Sequence, residues 1–341
     1  MASSGTFLIS DTERMSRSNA KAGRVVAAAL ALAVSVAAPA RADEISVTQW
    51  GASLYGAPFA VGIEQGYFKK AGIDITGVVG SAGGGTSVRN MMAGDTPYGE
   101  VATAAALAAA RQGLDVVIVN AATHTVAEST LVTMPDSKVQ TLKDLIGRKV
   151  AITSPKSSSE MIFLMELQAE GIDASKIQRA ASGGYTQGLT MLEQGAADAA
   201  VLIEPLSIIR KDKYRTVVRA KGLLPAMTMS VGITTREFAK AHPEKLRAII
   251  AGRRMGVQAI YADPDGTSKL IAKEYNMDPA LAEQAVANMI EPRMWSEGEI
   301  SLTELNRTAD GLKLIGEISA TPDWASLIDR SFLPDDLKGD K

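Results

Sequence analysis

The chain has 341 residues, 46% hydrophobic, 22% charged and 5% aromatic, with a formal net charge of −2 and no cysteine. That length accommodates two lobes of ordinary domain size. The missing cysteines remove disulfides, thiol nucleophiles, iron–sulfur clusters and Cys-ligated zinc together. The two histidines, His124 and His242, show no metal-ligand spacing. Without a long basic run or enough aromatics for base stacking, no nucleic-acid partner is expected, and no cofactor or metal is implied.

At the N-terminus, Arg17, Lys21 and Arg24 precede a run of small and apolar residues, Val25–Ala38, followed by Pro39-Ala40-Arg41-Ala42. Charge, apolar core and a small-x-small cleavage site in that order read as a secretory signal peptide over 1–42, cleaved after Ala42. The run is too short for a bilayer span, which needs ~20 residues. Five bases and two acids leave with the leader, so the mature charge moves from −2 to −5. Asp11 and Glu13 suit a leader poorly, which leaves Met1 and Met15 as competing starts. A cysteine-free exported chain fits a periplasm.

Beyond the leader, strand and helix patterns alternate. Ile45–Trp50 reads as a strand and Pro58 opens a helix to about Ala71. Ile73–Val79 is a strand, Thr86–Ala93 a helix, Tyr98–Ala102 a strand, Thr103–Gln112 a helix and Val116–Ala121 a strand. From Pro243 onward helices are expected over about 243–262, 278–290 and 301–316, with Asp263-Pro264-Asp265-Gly266 as a turn. This alternation implies an α/β protein with mostly parallel sheets. A weak repeat underlies it. Gly72-Ile73-Asp74 recurs as Gly171-Ile172-Asp173, Ser81-Ala82-Gly83 as Ser182-Gly183-Gly184, and Gly94 as Gly195. Two like lobes are expected, with a cleft at the carboxyl ends of their strands.

Several stretches carry a resemblance to a known family. They are Gly62-Ile63-Glu64-Gln65-Gly66-Tyr67-Phe68 with Ala71-Gly72-Ile73-Asp74, the triplet Gly83-Gly84-Gly85, Leu142–Val150 and Leu192–Ala199. The chain resembles the nitrate/sulfonate/taurine-type solute-binding proteins of ABC importers, a group that includes thiamine-precursor binders. The resemblance implies the two-lobed (type II-like) periplasmic-binding-protein fold. Lobe one would hold 43–133 and 229–341, and lobe two 134–228. Hinge strands would lie near Leu131-Val132-Thr133 and Met229-Ser230-Val231. It also implies a small-molecule ligand captured by hinge closure, a monomer, and an ABC permease and ATPase as membrane partners. The ligand is not specified by these motifs; an anion such as a sulfonate or carboxylate is the expectation, because three helix starts offer N–H groups.

Candidate ligand-binding residues follow from the expected cleft loops. Gly84 and Gly85 precede a helix beginning at Thr86, and either admit a ligand to the backbone or make a tight turn. Lys156 is the only cation in these loops, and its neighbour Ser157 either caps a helix or binds ligand. Thr103 and Glu204 are equivalent by the repeat; Glu204 caps a helix or accepts from a ligand donor. Trp50, Tyr55 and Tyr185 offer aromatic faces for a flat ligand or join the core, and Ser53 lies in the same loop as the first two. Met227 and Met229 read as core.

Two other classes compete with a binding protein. An enzyme on the same fold would act on a thiamine-precursor-like or menaquinone-precursor-like substrate; the absence of cysteine and of a G-x-S-x-G elbow disfavours catalysis. A ligand-sensing partner of a membrane receptor would be separated from an importer by the genes alongside. Processing gives a direct check. Sequencing the N-terminus of exported protein should return Asp43, and retention of residues 1–42 would contradict the leader.

Overall fold

The protein is described by a computed structural model over residues 43–339. The leader, its cleavage site and both candidate starts lie outside the described residues. The chain builds two five-stranded mixed sheets of matching order. The strands of the first are β1 (Asp43–Thr48), β2 (Ile75–Ser81), β3 (Tyr98–Ala102), β4 (Val116–Thr123) and, after the chain has built the other sheet, β10 (Ser230–Thr235). Those of the second are β5 (Ser129–Thr133), β6 (Lys149–Ile152), β7 (Gln178–Ala181), β8 (Ala199–Ile203) and β9 (Arg215–Arg219). The orders are β2-β1-β3-β10-β4 and β7-β6-β8-β5-β9. In each sheet four strands run one way; β10 in the first and β5 in the second run antiparallel to both neighbours. The repeat seen in the sequence therefore reappears as equivalent strands, Tyr98–Ala102 matching Ala199–Ile203.

Helices α1 (Ala57–Glu64), α2 (Tyr67–Ala71), α3 (Gly84–Ala93) and α4 (Thr103–Arg111) connect the first sheet, and α5 (Ser158–Ala169), α6 (Tyr185–Glu193) and α7 (Leu206–Ile209) the second. The single helix expected from Pro58 is split, because Gly66 adopts the left-handed conformation (φ +66°) between α1 and α2. The C-terminal part comprises α8 (Arg236–Ala241), α9 (Pro243–Ala262), α10 (Pro264–Glu274), α11 (Pro279–Ile290), α12 (Leu302–Leu314) and α13 (Trp324–Leu327). The turn expected at 263–266 is the start of α10. Asp263 accepts from Gly266 N–H as its N-cap, and Pro264 takes the first helical position where its missing N–H costs nothing.

The first sheet's core includes Ile45, Val47, Phe59, Tyr98, Val231 and Ile233, and Met227 and Met229 belong to it as expected. The second sheet packs Leu131, Val150, Phe163 and Val201 on one face and Ala151, Leu189, Ala200 and Leu202 on the other. Met161 and Ile162 of α5 extend the first sheet's cluster into the second. Their partner helix is α12, where a Cβ on Gly311 would lie 2.6 Å from Met165 Sδ and 2.7 Å from Met161 Cγ. A larger residue there would force the two methionine side chains to shift.

The chain crosses between the sheets twice, over 124–128 and 220–229. Leu131-Val132-Thr133, expected at the first crossing, instead lies within β5 of the second sheet. The second lobe's strands thus begin at Ser129, not after 133. The two crossings run side by side: Met227 N–H donates to His124 O at 2.8 Å and Met229 N–H to Thr123 O at 3.1 Å. Both are fastened to Glu304 on the first turn of α12. His124 Nδ1 lies 2.7 Å from Glu304 Oε2 and its Nε2 2.8 Å from Glu299 Oε1, while Thr228 donates to Glu304 Oε2 at 3.2 Å. Burial opposes charge on the ring, but the two carboxylates outweigh it and lift His124 to about 9. Glu299 is lowered to about 2: burial opposes the shift, but bonding to His124 outweighs it.

This clamp has a defined pH window. His124 titrates higher folded than unfolded (ordinarily ~6.5), so its contribution is complete below ~6.5 and fades as pH rises through about 9. Replacing His124 with Gln should lower the unfolding free energy by about 2–3 kcal/mol at pH 6, and by much less at pH 10. Urea denaturation at the two pH values checks this; an equal loss at both would remove the charge from the account.

Candidate functional site

The loops at the carboxyl ends of the strands meet the first crossing, and the chemistry gathers there. Ser53 is fully buried and ties its own loop: it donates weakly to Gln49 O (3.5 Å) and accepts from Tyr55 N–H (3.4 Å). This presents Tyr55, whose hydroxyl donates to Glu128 Oε1 at 2.6 Å. Glu128 closes the crossing and is 1% exposed. Opposite it, Glu204 N–H donates to Glu128 O at 2.9 Å where β8 ends beside β5. The register pairs Thr130 with Leu202. Antiparallel alternation therefore brings Glu128, Thr130 and Glu204 to one face of the second sheet. Tyr185, the first residue of α6, packs over this face beside Leu189 and Leu202.

The two carboxylates differ in their supply of partners. Glu204, 2% exposed, accepts from Asn288 Nδ2 of α11 at 3.2 and 3.1 Å and lies 3.6 Å from Arg219 Nη1. Glu128 has Tyr55 as its one side-chain partner, with its own backbone N–H also favouring the charged form; its Oε2 is buried and unpartnered, as are the hydroxyls of Thr130 and Ser207. Burial, reinforced by the Glu204 charge, pushes the Glu128 carboxyl up to about 7 despite the Tyr55 bond. Burial raises Glu204 as well. The Tyr55 phenol is raised by burial and then by Glu128, and Tyr185 likewise.

The other expected site residues have structural contacts of their own. Trp50 turns its ring onto Tyr275 (4.9 Å, edge-on) and packs into the core. Thr103 is fully buried and donates to Thr228 O at 2.8 Å, holding the second crossing. Gly84 is required by packing, since a Cβ there would meet Ala105 Cβ at 2.5 Å. Gly85 is open on that count, and exposed Thr86 accepts from Arg89 at 2.9 Å. Ser157 caps α5 by accepting from Glu160 N–H. Lys156 is exposed, with Nζ 3.8 Å from Glu317 Oε2 and its N–H bonded to Glu160. Glu204 is not a helix cap, because α7 begins after it at Leu206 with Pro205 as N-cap.

Of the sequence candidates, Tyr55, Tyr185 and Glu204 come together, with Ser53 in support; Glu128 was missed. Its signal was available. It is the lone carboxylate inside Val126-Ala127-Glu128-Ser129-Thr130-Leu131, a stretch of buried residues. Placing the crossing at 131–133 hid it. A groove of about 580 Å³ lies elsewhere, between α5 and α12, lined by Met165, Gln168, Arg307 and Asp310 among others. It is open to solvent and holds no buried unpartnered group, so the carboxylate corner is the stronger candidate.

Comparison with known proteins agrees with this architecture. The family model described as NMT1/THI5 like matches residues 54–267. No curated protein matches the chain. Among solved structures, the alkanesulfonate-binding protein SsuA from Xanthomonas axonopodis pv. citri bound to MOPS is similar, with TM-score 0.69 and 18% identity over 86% of this chain and 99% of that one. The periplasmic aliphatic sulphonate binding protein SsuA from Escherichia coli gives TM-score 0.69 and 17% identity over 86% and 92%. A DszB mutant in complex with biphenyl-2-sulfinic acid, with a cysteine replaced by serine, gives TM-score 0.62 and 13% identity over 85% and 97%. At these identities the likeness is one of fold, the two-lobed periplasmic-binding-protein architecture.

Tyr55→Phe isolates the bond to Glu128. The raised carboxyl favours the folded state below the ordinary carboxylate pKa, and that advantage is lost as pH rises through about 7. Without the phenol, ionised Glu128 keeps only its own backbone N–H as a donor. The variant should lose about 1.5–3 kcal/mol at pH 8 and only about 0.5–1.5 kcal/mol at pH 5, read by urea denaturation. A loss that does not grow with pH would show that Glu128 is neutral throughout.

Proposed function

The chain belongs to the NMT1/THI5-like family, and from that premise we propose that it is the periplasmic solute-binding component of an ABC importer. It captures a small organic solute between two lobes, works as a monomer and delivers its cargo to a membrane permease and ATPase. One lobe is the first sheet with the C-terminal helices, and the other is the second sheet from Ser129 to about Arg219. The observation that carries this reading is the corner at their joint. Buried Glu128 lies on the crossing itself, faced by Tyr55 from one lobe and by Tyr185 and Glu204 from the other.

The crossings over 124–128 and 220–229 are the hinges. A solute held by groups from both lobes favours closure by the difference between its affinities for the closed and open forms. The corner supplies acceptors and aromatic faces rather than a nucleophile beside a base, which supports binding over catalysis. The DszB mutant replaces a cysteine, and this chain contains none. Among the described residues no helix is long and apolar enough to cross a membrane.

Native mass spectrometry of protein isolated from the periplasm should show a retained small molecule. At a hundredfold excess over Kd, that molecule should stabilise the fold by about 2.7 kcal/mol and reduce the radius of gyration in small-angle scattering. Unchanged scattering under saturating solute would contradict hinge closure.

A further inference from the structure

We propose that the solute presents a positively charged N–H-bearing nitrogen, an amine or amidine, to the Glu128 carboxylate. The inference rests on the solute-binding reading above and deepens it. Glu128 is 1% exposed, and one of its two oxygens is taken by the Tyr55 hydroxyl at 2.6 Å. The other is buried and unpartnered. A buried carboxylate with an open oxygen is unfavourable unless a donor reaches it, and a charged donor offsets its burial best.

The charges around it decide the sign. Glu204 is the second buried carboxylate and already has Asn288 and Arg219. Glu128 has no cation, so the corner retains one uncompensated negative charge when it ionises. The cations that an anionic solute would need are engaged elsewhere. Lys156 lies beside Glu317. Fully buried Arg253 donates to Glu100, Ser296 O and Ala122 O. Arg89 donates to exposed Thr86 on α3, and no cation acts on Glu128. An anion in the corner would face two carboxylates, whereas a cation would meet one open acceptor oxygen. Tyr55 and Tyr185 add aromatic rings suited to a cation, and the unpartnered hydroxyl of Thr130 on the same face remains as a further acceptor.

The groups facing Glu128 from the packed elements are Tyr55, Tyr185 and Glu204, with Arg219 and Lys221 behind Glu204. Free of solute, Glu128 titrates near 7, inside the working range. A cationic partner must bind the ionised form, so affinity should rise as pH increases from 6 to 8.

The test is calorimetry of the mature chain with benzamidine, benzylamine and methylamine in one set, and benzenesulfonate, methanesulfonate, benzoate and nitrate in the other. At pH 8 a member of the first set should bind. Glu128→Gln should weaken it by about 10–100-fold and abolish its pH dependence, with an unchanged circular dichroism spectrum. If only anions bind, and Glu128→Gln leaves them unaffected, the inference is overturned while the solute-binding role stands. If neither set binds and protein from the periplasm carries no solute in native mass spectrometry, that role fails as well. A retained solute that proves to be an acid overturns the inference; a retained nitrogen base supports it.

Discussion

The joint between the two sheets depends on the carboxylate of Glu304. It stands on the first turn of α12, accepts from Thr228 on one crossing and bonds His124 on the other. The carbonyl of Thr228 in turn accepts from Thr103 and Thr308. Two chain segments far apart in sequence are thereby pinned to one helix and to each other. Because the clamp is ionic on one side and built from hydroxyl-to-backbone bonds on the other, it fixes where the crossings leave the first sheet. The residues beyond, 125–128, carry Glu128 to the place where β5 begins. The position of the candidate site follows from that anchorage more than from any cleft loop.

A second constraint isolates the site's chemistry. Arg253 sits inside the first lobe at 1% exposure, paired with Glu100 at 2.6 Å and donating to two carbonyls. A buried ion pair adds little net stability when its desolvation is counted. This one joins α9, β3, the end of β4 and the 296 loop, and so holds the wall behind the joint. Its charge is fully used there. The corner around Glu128 is left with negative charge and hydroxyls.

Much of this was legible in the sequence because periodicity and turn residues report backbone. Tyr98–Ala102 and Thr103–Arg111 match their expected spans nearly to the residue, and glycines recurring about 101 apart announced two equivalent sheets. The errors have physical causes. Asp263-Pro264-Asp265-Gly266 has turn composition, but the same residues suit an N-cap and first helical turn. Gly84 and Thr103, candidate ligand contacts, also pack against α4 and the second crossing. Only long-range contacts reveal that. Glu128 was hidden for the converse reason. A single acidic residue in an apolar stretch reads as a strand edge until the fold shows that the chain changes sheets there.

The energetics of opening bear on how the two lobes work. They meet at two places of different character. Between α5 and α12 the contact is tight and apolar, with Met161 and Met165 against Gly311, so the lobes resist separation there. Near the corner, Asn288 of α11 donates to Glu204, and Ile208 of α7 packs among Leu54, Ala57 and Val257. On that side the Asn288–Glu204 contact is worth about 1.5–3 kcal/mol, and re-exposing Ile208 costs about 1.5–3 kcal/mol. A micromolar solute supplies about 8 kcal/mol. The Asn288–Glu204 side is therefore held by less than a micromolar solute supplies. The difference in packing makes the Asn288–Glu204 side, not the methionine seam, the one that yields first.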